Sequence, residues 1–472
     1  MKILYASSEA NPFAKSGGLA DVAGALPKAL VKDGVDCRVV MPLYGDLKMK
    51  DKLTYVTNFS VPVGWRSQYC GLFTAQVSGV TYYFLDNEYY FKRTGLYGFY
   101  DDGERFAFFS RAILEMLFHM DFVPDIINCN DWQTALVPVY LNLYYRHLDQ
   151  FNRIKTVFTI HNIAYQGKYG LEILEDTCGI GKRDQHIVEY DGCANFMKGA
   201  IELADKVTTV SPTYAREILD PWFSYGLDAL LRSKQYKLCG ILNGIDTEVN
   251  NPATDPVIAA HYTADTFTTG KKVCKEDIQG QFGLQQDGSP VFGMVSRLVG
   301  MKGFDLVRSI AEGLIAEGIE LVVLGTGESG YEAFFSDLAA RHPGRVGVYI
   351  GFNAKLAQQI YAGADVFVMP SKSEPCGLAQ MVACRYGTIP VVRETGGLRD
   401  SIQDSSMGRG NGFTFAGYSA HELYDACHRA KEAYWRPDDW QNLVKYAMSC
   451  DFGWDVSAKS YEGLYNEVVN LW

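Results

Sequence analysis

The chain has 472 residues, 47% apolar and 21% charged, which allows two or three domains around large cores and excludes wholesale disorder. Its formal charge of −11 argues against a nucleic-acid partner, while a few local cations would still suffice for a small anionic substrate. No apolar run approaches the roughly 20 residues that cross a bilayer, so no membrane partner is expected.

Met1-Lys2-Ile3-Leu4 enters a strand at once, with no room for a leader peptide. The 11 cysteines are scattered without a Cys-x-x-Cys pair, a pattern of reduced thiols that predicts a cytoplasmic location. After the first apolar run, Ile3-Leu4-Tyr5-Ala6, comes Lys15-Ser16-Gly17-Gly18-Leu19-Ala20-Asp21, and then a helical pattern from Val22. A glycine turn between strand and helix can bring backbone N–H groups and a lysine to an anion. The same glycines also serve simply to turn the chain. Thr395-Gly396-Gly397-Leu398-Arg399-Asp400 repeats the pattern late in the chain.

Further strand runs are predicted at 37–42, 125–129, 155–160, 206–210 and 238–242, then at 291–295, 320–324, 347–350, 366–369 and 389–392. Stretches of helical length separate most of them. Short, uniformly apolar strands alternating with helices predict an α/β protein with parallel sheets covered on both faces. Over 53–110 the alternation weakens, and 61–63, 74–77 and 81–85 predict a local hairpin insertion. The turn Asn243-Gly244, then Asn251-Pro252 and the polar stretch 263–270, mark a boundary. The predicted organisation is a lobe at 1–245, a second at 246–455 and a terminal helix at 456–472.

Ligands of such sheets bind beyond the C-terminal strand ends. Asp131, after Ile126-Ile127-Asn128-Cys129, reads as a helix N-cap or a site residue. His161-Asn162 ends the next strand and is an even choice between structure and site. In the second half Arg297 and Lys302 share one strand-to-helix loop, where they can clamp a diphosphate or stand as solvated charge. Gly325-Thr326-Gly327-Glu328-Ser329-Gly330 is a literal G-x-G-x-x-G, but residues 345–353 supply no acid for a dinucleotide ribose. Phe352 suits stacking on a base or packing in the core. Glu374, in Ser373-Glu374-Pro375-Cys376-Gly377-Leu378, is either a cap or a sugar-hydroxyl ligand beside phosphate-binding N–H groups. There is no P-loop, no His-Glu-x-x-His, no Gly-x-Ser-x-Gly and no Asp-x-Asp, so no metal site is expected.

Taken together, Lys15-Ser16-Gly17-Gly18-Leu19, Asn130-Asp131-Trp132-Gln133-Thr134, His161-Asn162-Ile163-Ala164-Tyr165-Gln166-Gly167, Leu242-Asn243-Gly244-Ile245-Asp246, Ser296-Arg297-Leu298 and Ser373-Glu374-Pro375-Cys376-Gly377-Leu378 make the chain resemble bacterial glycogen synthases and plant starch synthases over nearly its whole length. The resemblance implies a GT-B fold, two Rossmann-like lobes with a central donor cleft and a C-terminal helix returning to the first lobe. It implies a retaining, metal-independent transfer of glucose from ADP-glucose, a substrate, to the 4-hydroxyl of an α-1,4-glucan or malto-oligosaccharide, with no cofactor.

By position, the resemblance places Lys15 and Gly18 at the donor phosphates, with Asp21 on the adenosine side. Arg297 and Lys302 would hold the diphosphate and Glu374 the glucose hydroxyls, with the N–H groups of Cys376 and Gly377 beside it. Thr395 and Gly396 would line the phosphate end. His161 would sit by the reacting carbon, Asn162 and Asn243 on hydroxyls, and Phe352 on adenine. Lys15, His161, Arg297, Lys302 and Glu374 form the implied catalytic set, with Asp131 and Gln166 on the acceptor side. The aromatic-rich stretch 82–109, including Tyr89, Tyr90, Phe91, Tyr97, Phe99 and Tyr100, reads as a core cluster or as faces for sugar rings, with Tyr97 the candidate on the acceptor side. Three departures from the family pattern stand out. Lys-Thr-Gly-Gly reads Lys-Ser-Gly-Gly here, Val382 occupies the second place of a Glu-x7-Glu spacing, and a tryptophan after the Asn-Gly-Ile-Asp turn is missing. Rival readings are a UDP-glucose enzyme, a glucan-binding scaffold without activity, and a NAD-dependent dehydrogenase.

Overall fold

The first apolar run becomes β1 (Lys2–Ala6) in a computed structural model of the chain, which describes residues 1–471. With it pair β2 (Asp36–Pro42), β3 (Thr54–Val63), β4 (Arg66–Val77), β5 (Val80–Asp86), β6 (Ile126–Asn130) and β7 (Lys155–Ile160). A small antiparallel sheet holds β8 (Lys168–Tyr169), β9 (Glu189–Tyr190) and β10 (Cys193–Asn195). The large sheet is completed by β11 (Lys206–Thr209) and β12 (Leu238–Gly240), in the order β12-β11-β7-β6-β1-β2-β5-β4-β3.

From β12 through β5 the neighbours run parallel, and their apolar side chains are buried as doubly covered strands require. Leu4, Val39, Ile127 and Phe158 are fully enclosed, each such side chain contributing about 1.5–3 kcal/mol relative to exposure. The stretch 53–110 departs from the expected insertion. β3 and β4 do form an antiparallel hairpin, but β5 pairs parallel with β2, so the hairpin extends the main sheet. Most aromatics that follow are core. Tyr90, Phe91, Phe106 and Phe108 are buried around Arg105, whose guanidinium meets Asp102 at 2.5 Å and donates to Tyr90 O at 2.7 Å.

The second half carries β13 (Val291–Val295), β14 (Glu320–Gly325), β15 (Val346–Ile350), β16 (Val366–Met369), β17 (Ile389–Arg393) and β18 (Phe413–Phe415). They form one all-parallel sheet ordered β15-β14-β13-β16-β17-β18. Ile278, Val291, Val322, Leu324 and Ile360 belong to its core on one face. The polar stretch 263–270, read as a mark of the boundary, lies inside the second unit. Helix Phe267–Phe282 begins inside it, and Gly270 lies against the Tyr262 ring.

The chain divides between Gly244 and Ile245 and again between Gly453 and Trp454. The terminal helix Trp454–Val469 belongs to the first unit. Its Tyr465 hydroxyl donates to Asn128 Oδ1 at 3.1 Å, Ser457 Oγ donates to Leu242 O at 2.6 Å, and Glu467 pairs with Lys206 at 2.6 Å. Among the described residues no helix is long and apolar enough to cross a membrane.

Candidate functional site

In the nine-stranded and six-stranded sheets the first strand, β1 or β13, has later strands on both sides, and the order reverses beside it. Such a switch point opens a crevice at the C-terminal strand ends. In the first unit this brings the loop after β1 beside the ends of β6 and β7.

That loop is tied from within by Glu9, which the sequence reading passed over although it stands just past the end of β1. Its buried carboxylate accepts the Ser16 N–H at 2.5 Å; burial raises its pKa, and the bonds from Ser16 and Gly17 oppose that rise. Lys15 is held by Asp21, its Nζ lying 2.7 and 2.8 Å from the two carboxylate oxygens, and both groups are partly exposed. Gly17 is extended, and a Cβ there would meet only Glu9 Oε1, at 3.9 Å. A Cβ on Gly18 would meet nothing within 4 Å. The fold therefore gives no steric reason for either glycine. Gly17 also begins helix Gly18–Lys32 without a side-chain cap on the helix's first N–H groups.

At the ends of β6 and β7 a polar network sets His161. Asn130 Nδ2 donates to Ala6 O at 2.8 Å, which turns Oδ1 toward the Tyr5 hydroxyl at 3.0 Å and His161 Nε2 at 2.8 Å. The acceptor Oδ1 requires the ring proton on Nε2 and leaves Nδ1 as a bare acceptor. Burial lowers the ring pKa to about 3, so the imidazole is neutral.

Asp131 makes no side-chain cap bond to the turn that follows, contrary to the N-cap expectation. Its carboxylate reaches sideways instead, accepting the N–H groups of His161 at 2.7 Å and Asn162 at 3.3 Å. The backbone there has φ 55° and ψ −178°, a conformation that costs a non-glycine residue about 1–3 kcal/mol. Burial raises the Asp131 pKa to about 7, against the lowering effect of the two N–H bonds. Through these two bonds, both on Oδ1, Asp131 positions the main chain at His161 and Asn162.

Gln166, also on the implied acceptor side, is tied into the protein. It is buried, its Nε2 donates to Ile163 O and Tyr225 O at 3.1 Å each, and its Oε1 accepts from Asn195 Nδ2 at 2.7 Å. Both amide N–H groups are thereby committed to the protein, and Oε1 keeps one lone pair. Tyr97 is half-buried, with its hydroxyl 2.7 Å from Ser8 Oγ beside the β1 loop. Asn162 Oδ1 accepts the Ala164 N–H at 3.0 Å, leaving its amide N–H groups without a partner among the described residues. Asn243 is buried, and its Oδ1 has no hydrogen-bond partner among the described residues.

In the second unit the switch point lies between β13 and β16. Lys302, after β13, places Nζ 2.5 Å from Glu374 Oε2, after β16, and Ser371 Oγ donates to the same oxygen at 3.0 Å. Gly303 allows this approach. Its φ is 78°, and a Cβ there would stand 2.1 Å from Pro370 O. Glu374 is 7% exposed, and its Oε1 has no partner among the described residues. Arg297, on the same loop as Lys302, is exposed and makes no hydrogen bond or ion pair among the described residues.

The second Gly-Gly-Leu turn is not the twin of the first. Gly396 has φ 45°, a Cβ on it would come within 1.9 Å of Glu374 O, and one on Gly397 within 2.1 Å of Cys376 O. Gly397 N–H donates to Glu374 O and Pro375 O at 3.2 Å each. The turn therefore buttresses the Glu374–Cys376–Gly377 segment, and Thr395 is buried at its start. Phe352 is 88% exposed, which removes the core-packing alternative. The G-x-G-x-x-G loop is closed by its own acid, since Glu332 Oε1 accepts from Thr326 Oγ1 at 2.6 Å and Gly327 N at 2.8 Å. Among the described residues no group of three His, Cys, Asp or Glu side chains is arranged to hold a metal ion.

The family model for the starch synthase catalytic domain matches residues 2–233, and that for group 1 glycosyl transferases matches residues 276–447. The chain is 50% identical to the glycogen synthase of Geobacillus thermodenitrificans (strain NG80-2), covering 99% of this chain and 98% of that protein. It is 48% identical to the glycogen synthase of Bacillus cereus (strain B4264), covering 99% and 100%. Among solved structures, the catalytic domain of starch synthase IV from Arabidopsis thaliana, bound to ADP and acarbose, matches with TM-score 0.91 at 34% identity, covering 100% of this chain and 99% of that one. The two parallel-sheet units are those of a GT-B glycosyltransferase, and the chain belongs to the glycogen synthase and starch synthase family, enzymes of glucosyl transfer in α-glucan synthesis.

Proposed function

We propose that the protein transfers glucose from ADP-glucose to the non-reducing 4-hydroxyl of an α-1,4-glucan, with retention and without a metal ion. The observation that carries this reading is the Lys302–Glu374–Ser371 cluster at a strand switch point, with the unpaired Arg297 on the same loop. Glu374 has one oxygen held by Lys302 and Ser371 and the other open, the arrangement of a rigid acceptor for a sugar hydroxyl. Lys302 and Arg297 supply positive charge where a diphosphate leaves, Lys as a point charge and Arg as a planar fork. The exposed Phe352 ring suits an adenine face, and the resemblance to a starch synthase bound to ADP and acarbose supports both the nucleotide and the glucan.

In the proposed step the bond from glucose C1 to the phosphate oxygen breaks as the acceptor O4 bonds C1 from the same face. The electron pair of the broken bond stays on the departing phosphate, which takes the acceptor's proton and leaves as ADP. His161 is neutral, and Nδ1 or the main-chain carbonyl can accept a glucose hydroxyl but holds no proton to give. Asn243 Oδ1, buried and unsatisfied, is a second hydroxyl acceptor. Lys15 adds a cation on a loop whose glycines leave room for a ligand.

The test is transfer of label from ADP-glucose or UDP-glucose to glycogen by the purified protein, with and without a chelator. Transfer from ADP-glucose, an α-linked product and indifference to chelator are expected. No transfer from either donor overturns the reading; a preference for UDP-glucose overturns the donor, and loss with chelator overturns metal independence.

A further inference from the structure

A cavity of about 830 Å³ opens in the second unit between the loop 405–410, helix Ala420–Tyr434 and helix Pro437–Ser449. It is lined by none of Arg297, Lys302, Phe352 or Glu374. Its volume lies in the range of small-molecule sites. Four cations, Arg409, Arg429, Arg436 and Lys445, line it against two carboxylates, Glu432 and Asp439, although the chain as a whole carries −11.

The four cations differ in what holds them. Arg429 is committed to structure, donating to Asp404 at 2.8 Å, Asp425 at 2.9 Å, Ser406 Oγ at 2.8 Å and Thr414 O at 2.8 Å. These bonds pin the loop that presents Arg409. A Cβ on Gly410 would stand 2.5 Å from Gln403 O, so the loop is tightly folded there. Arg409 lies 4.2 Å over the Tyr446 ring and makes no hydrogen bond or ion pair among the described residues. Lys445 makes none either. Arg436 gives only Nε, to Asp439 at 2.9 Å. Asn442, Lys445, Tyr446 and Ser449 stand on one helical face toward the cavity, while Val444 and Met448 pack on the far side against Gly387. Buried Phe413 and Leu443 add an apolar wall.

We propose that this cavity is a second ligand site, for a phosphorylated metabolite of sugar-phosphate or mononucleotide size. Arg409, Lys445 and the free guanidinium nitrogens of Arg436 hold the phosphate. Asn442 and Glu432 face the hydroxyls, and Phe413 and Leu443 the apolar part. A hydroxylated body is favoured over a bare anion because the cations share the cavity with carboxylates and an amide.

The experiment is calorimetric titration of the full chain, saturated with ADP to block the other site, with fructose 6-phosphate, AMP, inorganic phosphate, fructose and adenosine. One phosphorylated organic probe is expected to bind more tightly than phosphate, and its unphosphorylated parent not to bind. Arg409→Ala and Lys445→Ala should each weaken that probe by about tenfold or more, the loss of one charge-assisted hydrogen bond. Both side chains are exposed, so the variants should keep the wild-type melting temperature and glucosyl transfer. Bound probe should slow amide exchange in 405–410 and 437–449. Binding of phosphate as tight as of any organic probe, no binding at millimolar concentration, or binding indifferent to both substitutions overturns the proposal.

Discussion

Replacing Glu374 by alanine tests the centre of the proposed chemistry. The carboxylate is nearly enclosed and fixes Lys302 Nζ at 2.5 Å and Ser371 Oγ at 3.0 Å, while its other oxygen is open to substrate. Two losses follow. One is a charged acceptor for a glucose hydroxyl, worth about 1.5–3 kcal/mol. The other is the positioning of Lys302, whose misplaced charge stabilises the departing phosphate less; removing one electrostatic donor from a reacting site costs about 2.7–4 kcal/mol. The two overlap, so a total of about 3–5 kcal/mol is reasonable, or a fall in kcat of about 10²–10⁴-fold at 1.36 kcal/mol per decade. Glu374→Gln keeps the shape and should recover part of the loss. The assay is steady-state kinetics with ADP-glucose and glycogen, beside a thermal melt to show that the fold survives. A folded alanine variant with kcat within about threefold of wild type would refute the reasoning, since that difference is under 1 kcal/mol.

The two glycine turns should respond oppositely to alanine. Gly397→Ala forces a Cβ to 2.1 Å from Cys376 O and should lose about 1–3 kcal/mol of stability by denaturant titration. Gly18→Ala meets no protein atom; its melting point should hold while KM for the donor rises, and a normal KM would remove the ligand role of that turn. Asp131→Asn should change how stability depends on pH. His161, lowered from 6.5 to about 3, favours folding more as pH rises through that window, whereas Asp131, raised from 3.8 to about 7, favours it less. The opposing slopes nearly cancel in the wild type, so the variant should lose up to ~1.4 kcal/mol per pH unit relative to it as pH falls from about 6.5 to 4. Parallel wild-type and variant denaturation curves across that window would contradict this. Phe352→Ala, at an 88% exposed ring, should leave the melting point unchanged and weaken ADP binding by about 1–3 kcal/mol, the worth of one stacked base; unchanged ADP affinity would show that the ring is not the adenine platform.

Much of the chain is legible without coordinates, because parallel strands buried on both faces must be short and uniformly apolar, and helices must separate them. That logic located β1, β2, β6, β7, β11, β12 and five of the six strands of the second sheet, missing the short β18, and pointed to their C-terminal ends, where Arg297, Lys302, His161 and Glu374 stand. Motif spacing carried the family. What no local pattern contains is partnership between distant residues. That β5 joins the parallel sheet depends on register with β2, 45 residues away in the pairing of Arg38 NH1 with the Tyr83 hydroxyl. That Lys302 meets Glu374 depends on Gly303 meeting Pro370, and that Glu9 rather than a helix cap secures the Lys15 turn depends on how the β1 loop folds back. The two Gly-Gly-Leu turns read alike because a glycine pair records only that a side chain is unwelcome. Tertiary structure alone says what occupies the space: at Gly396 and Gly397 it is the backbone of residues 374–376, and at Gly17 and Gly18 the protein leaves it open.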